Sequence, residues 1–138
     1  MQPANPSGDS QARALAEIAQ AIQRLNKACD QRHGLSITQW LVLRALVDRP
    51  AASPFVLAAA LDIHPSTLTP MLARLEGKGF VFVAEDPRNL RRKMISITRE
   101  GRRALGAASD GISALLRANA AQSRRLHAVR DWLNAIPG

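Results

Sequence analysis

Tyrosine is absent from this chain, and three phenylalanines and two tryptophans bring aromatic residues to only 4% of 138 positions. That scarcity argues against an aromatic-lined cofactor pocket and against a platform for stacking single-stranded bases. One cysteine, Cys29, excludes an internal disulfide framework. His33, His64 and His127 lack ligand spacing and no second cysteine joins them, so no metal site is expected. There is also no nucleophile–base pair and no phosphate-binding loop, so neither an enzyme nor a cofactor is expected. No apolar run approaches the ~20 residues of a membrane span, and MQPANPSGDS lacks the basic start and apolar core of a signal peptide. A cytoplasmic protein is the expectation.

Acidic residues are scarce as well. Eleven of them face nineteen lysines and arginines, a net charge of +8 that favours polyanionic partners. A hydrophobic content of 46% over this length suits a single domain with its own core.

The informative stretch runs from Ser53 to Thr98. Ser53-Pro54 opens the apolar segment PFVLAAAL with an N-capping serine and a proline that withholds no needed donor. After Asp62-Ile63-His64, Pro65 opens a second helix on which Leu68, Leu72 and Leu75 form one stripe, with Gly79 placed as the C-terminal cap. Two short helices and a tight turn predict a helix-turn-helix. Next come VFVAE, the turn-forming DPRNLRR and KMISI, which read as a hairpin with an arginine-loaded tip. A basic hairpin after a helix-turn-helix is a winged helix, and Thr98 is placed to cap the helix that follows.

The flanks are helical. Residues 1–9 read as a disordered arm. From Ser10 to about Gln31, Leu15, Ile18, Ile22, Leu25 and Cys29 step by three and four, a seam that calls for another helix. Ser36 and Gln39 form a capping box for a helix through Val47, apolar nearly all round and so expected at the centre. Past the wing, Leu105, Ala108, Ile112, Leu115 and Leu116 line one helix, and Leu126, Val129, Leu133 and Ile136 another. The fold expected is therefore mainly α, a winged helix-turn-helix lobe over 35–101 between dimerisation helices at 10–34 and 102–138. A two-fold homodimer would offer two recognition helices to successive major grooves of double-stranded DNA about 34 Å apart.

Charge is concentrated where such a lobe meets DNA. Between Arg74 and Arg103 nine cations face four anions. Solvated surface charge is the plain alternative. On the recognition helix Ser66, Thr67 and Pro70 lie opposite the leucine stripe, with Thr69 between the two faces. Hydroxyls, a threonine methyl and a proline ring can meet base edges. Pro70 removes the bond to Ser66, and a Ser66 or Thr67 hydroxyl could offset that loss. Arg74 and Lys78 read as phosphate contacts. In the wing, Arg88, Arg91 and Arg92 sit at or near the tip, with Lys93 following, where an arginine can enter a narrow minor groove.

The run LxxxLxIHPSTLTPMLxRLExKGFV (Leu57 to Val81), then DPxNxRRK, then ITxxG (Ile97 to Gly101), resembles the MarR-type transcriptional regulators. Firm resemblance covers about residues 35 to 105. It implies a triangular dimer on a pseudo-palindromic operator, with Arg91 as the wing arginine. The family usually braces that arginine with an aspartate two residues before it; here Asn89 stands there. The resemblance further implies a small aromatic or phenolic effector between the dimerisation helices and the lobe. His33, Trp40 and Arg44 could line such a pocket, although Trp40 also suits a core position. The segment TLTPMLARLE looks like the hydroperoxide-sensing branch, but that branch carries its cysteine near the start of the first helix among tyrosines. Cys29 is near the end, so peroxide sensing is not carried over; it reads as a buried structural thiol, with a redox role as the alternative. The leading reading is a dimeric, sequence-specific transcriptional regulator, a repressor released by a small molecule. The alternative is an architectural DNA-binding protein of low specificity without an effector.

Overall fold

The computed structural model describes residues 6–117 and 120–138. Six helices and one hairpin run in the order α1 (Pro6–His33), α2 (Ile37–Asp48), α3 (Pro54–Ala60), α4 (Pro65–Gly77), β1 (Val81–Asp86), β2 (Asn89–Ile97), α5 (Arg99–Arg117) and α6 (Ala120–Asn134).

Local chemistry sets most of these limits. Ser36 Oγ accepts from Gln39 N–H at 3.1 Å while Gln39 Oε1 accepts from Ser36 N–H at 3.3 Å, the reciprocal box expected for α2. Ser53 Oγ caps α3 through Val56 N–H. Gly79, at φ +77°, donates to Glu76 O, and Phe80 donates to Leu75 O, ending α4. Between α3 and α4 the chain turns through Asp62 at φ +54°, a left-handed position that aspartate tolerates better than most residues. The two helices meet at 109°, within the helix-turn-helix range.

The core belongs to the lobe. Leu35, Leu43, Leu46, Leu57, Leu68, Leu75 and Ile95 are fully buried, each stabilising by roughly 1.5–3 kcal/mol relative to exposure. Thr98 ties the hairpin to the next helix. Its hydroxyl donates to Gly79 O at 2.6 Å and accepts from Gly101 N–H at 3.0 Å. Gly101 must be glycine, because a Cβ there would run into the carbonyl oxygen of Phe80.

Four expectations need correction. Helix α1 starts at Pro6, not Ser10: proline suits a first helical position and Asp9 complements the helix dipole. Residues 1–5 of the expected arm lie outside the described residues. Helix α2 buries only part of its circumference, with Val42, Leu43 and Leu46 inside but Leu41 and Val47 42% and 37% exposed. The hairpin turn is shorter than DPRNLRR. Asp86 pairs with Asn89 but Glu85 pairs with Lys93, so Leu90, Arg91 and Arg92 bulge from β2. Finally, Ala52 is more than a linker, since it accepts from Ile95 N–H at 2.8 Å and bridges to the wing as a third strand position. On α5, Ala108 is buried and Leu105 and Ile112 half-buried as the stripe requires, while the side chains of Leu115 and Leu116 lie outside the described residues.

Candidate nucleic-acid interface

Helix α4 divides into two faces. Leu68, Leu72 and Leu75 enter the core, while Ser66, Thr67, Thr69, Pro70 and Arg74 are exposed on the remaining surface. At its N-terminus His64 is the cap, a role not read from the sequence. Its Nδ1 accepts from Ser66 N–H at 3.1 Å and is hydrogen-bonded to the Ser66 hydroxyl at 2.6 Å. Histidine is an unusual cap, which is why only its position after the turn could have signalled it. The Ser66 hydroxyl is thereby engaged and does not offset the bond that Pro70 removes. Thr69 donates to Pro65 O at 3.0 Å, so its side chain lies back along the helix.

Lys78 departs from expectation. Its ammonium donates to Asp30 Oδ1 at 3.0 Å, Gly34 O at 2.8 Å and Gln39 Oε1 at 2.9 Å. An ammonium has three donors. All three are taken within the chain, so that in this arrangement Lys78 has no spare donor for the phosphate contact expected of it. It sits beyond the last turn of α4, where the helix surface turns toward α1 and α2.

In the wing, Arg88 occupies the two-residue turn, and Arg91 and Arg92 lie in β2 at the bulge beside that turn. Asp86 Oδ1 accepts from Arg88 N–H at 2.9 Å and Asn89 Oδ1 from Arg91 N–H at 3.1 Å. Asn89 therefore holds the backbone of Arg91, not its guanidinium, and an amide oxygen serves that purpose as well as a carboxylate. Beside the bulge, exposed Phe55 lines a surface pocket with Ser53, Arg91, Arg92 and Lys93. Phe55 was missed because its apolar segment reads as core.

The three suggested effector-lining residues separate. His33 lies over Gly111 and lines a cavity of about 330 Å³ with Cys29, Leu25, Arg32 and Ile112. Trp40 does not line that cavity. Its indole N–H donates to Ser109 Oγ at 2.8 Å, and Arg44 stacks on the ring at 5.2 Å. Cys29 is 5% exposed. No group of metal-ligating side chains occurs among the described residues.

Residues 35–93 match the MarR family profile. The chain is 38% identical over 74 residues to the transcriptional regulator HosA of Escherichia coli O111:H-, covering 54% of this chain and 55% of HosA. It thus spans about half the length of that relative. It is 31% identical over 93 residues to the homoprotocatechuate degradative operon repressor of Escherichia coli, covering 67% and 63% of the two chains. Two solved structures share the fold: a MarR-family regulator from Rhodococcus sp. RHA1 (TM-score 0.74, 24% identity, 96% and 95% covered) and the repressor CouR bound to a 23-mer DNA duplex (TM-score 0.77, 20% identity, 99% of each covered). The winged-helix segment, residues 35–93, is thus matched in sequence to the MarR family, the whole chain shares the fold of these solved structures, and the named relatives are transcriptional regulators.

Proposed function

We propose that this protein is a homodimeric, sequence-specific DNA-binding repressor of the cytoplasm, released from a pseudo-palindromic operator by a small aromatic or phenolic effector. The observation that carries the reading is a set of exposed polar and basic side chains on two adjoining elements of one lobe. Ser66, Thr67, Pro70 and Arg74 stand exposed on α4, and Arg88, Arg91, Arg92 and Lys93 stand exposed on the wing of the same lobe. Helix faces of that size with polar, small side chains suit a major groove, and the arginines suit the flanking backbone and minor groove. Arg74 would contact phosphate.

The dimer is supported by apolar side chains that this chain leaves uncovered. Leu15, Ile22 and Leu25 on α1, and Leu126, Trp132, Leu133 and Ile136 at the C-terminal end, are each 38% exposed or more. A two-fold partner would bury them and fix the spacing of two recognition helices. The cavity beside His33 and Cys29, at the junction of α1 and α5, is where an effector could alter that spacing. One named relative represses a homoprotocatechuate operon, which directs the effector search to aromatic acids.

Selection of duplexes from a randomised pool tests the reading. The expected product is an inverted repeat bound by two chains, at least a thousandfold tighter than a shuffled duplex. Equal, salt-sensitive binding to every duplex would instead mark an architectural protein.

A further inference from the structure

Helix α1 packs chiefly on α2 and α5. Between α1 and α4 lies an open polar cleft of about 500 Å³, whose walls include Asn26, Lys27 and Asp30 on one side and Met71, Arg74 and Lys78 on the other. Close packing therefore does not set the relation of these two helices. One side chain spans the gap. Lys78 ends α4, and its ammonium reaches Asp30 in the last turn of α1, the carbonyl of Gly34 that closes α1, and Gln39 in the first turn of α2. Gln39 is 6% exposed, and the same Oε1 that receives Lys78 also receives Ser36 N–H. Lys78 thus joins the capping box that starts α2.

The Lys78–Asp30 pair alone, with side chains 32% and 50% exposed, would contribute little. Three bonds from one ammonium to three segments do something different: they define a position. We propose that Lys78 is a positioning residue that fixes the recognition helix to the end of dimerisation helix α1, so that dimer geometry is passed to α4 through this ammonium. The inference rests on the DNA-binding reading above.

Charge and position predict opposite results, which makes the test sharp. Full-length Lys78→Met and Asp30→Asn are compared with wild type on the selected operator and on a shuffled duplex across a salt series. Thermal melting confirms that each variant is folded. Lys78→Met should weaken operator binding on the order of tenfold while shuffled-duplex binding and the salt slope stay unchanged. Asp30→Asn removes a negative charge, which by charge alone would tighten binding to any duplex. Asp30 is one of the tie's three acceptors, and a neutral amide holds the ammonium less firmly than a carboxylate, so Asp30→Asn should weaken operator binding several-fold, and the double variant should be no weaker than Lys78→Met.

A fall in both affinities for Lys78→Met, with a slope smaller by about 0.9, would make Lys78 a phosphate contact and overturn the proposal. So would unchanged or tighter operator binding by Asp30→Asn. Hydrogen exchange without DNA gives a separate readout. Faster exchange of amides at the end of α4 in Asp30→Asn supports the tie, and unchanged exchange overturns it. Should wild type itself fail to discriminate between duplexes, the regulator reading falls, and hydrogen exchange still decides the role of Lys78.

Discussion

The lobe and the terminal helices of this chain bury their apolar residues very differently. Between Leu35 and Ile95 the leucine stripes of α2, α3 and α4, with Val81 and Ile95 of the hairpin, close a core whose members are at most 8% exposed. Among the described residues outside that range, only Cys29 and Ala108 are buried hydrophobics, while Leu15, Ile22, Leu126 and Trp132 face outward. The lobe closes its own core and leaves single apolar residues such as Phe55, Phe82 and Leu90 on its surface, whereas the ends are amphipathic helices with one face open. Stability is thus located in one region, the proposed dimer would place assembly in the other, and substitutions can separate them.

The largest expected effect is on the lobe. Leu75→Ala, at a site with 0% exposure, should lower unfolding stability by about 2–5 kcal/mol, read as a denaturation midpoint at fixed protein concentration. If Leu15→Ala, at a site 45% exposed, cost as much in the monomer at high dilution, the contrast between the regions would be broken.

Next in size is a charge on the open face. Ile22→Asp, at a position 54% exposed, should leave each chain folded but shift sedimentation from dimer to monomer. Without a second recognition helix, operator affinity should fall by roughly a hundredfold or more. A variant that remains dimeric would show that the α1 seam lies outside the interface.

A smaller effect separates contacts within the lobe. Arg91→Ala should weaken operator binding by about 1–3 kcal/mol, and Arg74→Ala should weaken operator and shuffled duplex alike while reducing the salt slope by about one. Anisotropy titrations at several salt concentrations measure both. Neither variant should change the dimerisation constant, and a change in it would mean that lobe and ends are less separable than their burial indicates.

Much of the lobe was legible because its signals are local. Ser36, Ser53, Gly79 and Thr98 perform the caps their spacing implied, and Leu68, Leu72 and Leu75 point inward as a stripe must. What escaped depends on where distant segments meet. Lys78 reads as one more cation of a basic helix, and only the fold brings it to residues 30, 34 and 39. The bulge at Leu90–Arg92 depends on cross-strand register, which turn chemistry alone does not fix. Phe55 looks apolar enough for a core but falls on the solvent side of a helix only seven residues long.

The smallest effect tests whether the start of the recognition helix is as self-contained as the rest of the lobe. His64 caps α4 through Nδ1, which takes Ser66 N–H and is bonded to the Ser66 hydroxyl. His64→Ala should cost about 1 kcal/mol, and His64→Asn should recover most of it, since an asparagine oxygen can accept the same N–H. The two variants part company at the DNA surface only if the imidazole also orients the Ser66 hydroxyl. Thermal melting with operator titration distinguishes these cases. Restored stability with weakened operator binding in His64→Asn would make the imidazole part of base readout, whereas joint recovery would confine it to the cap.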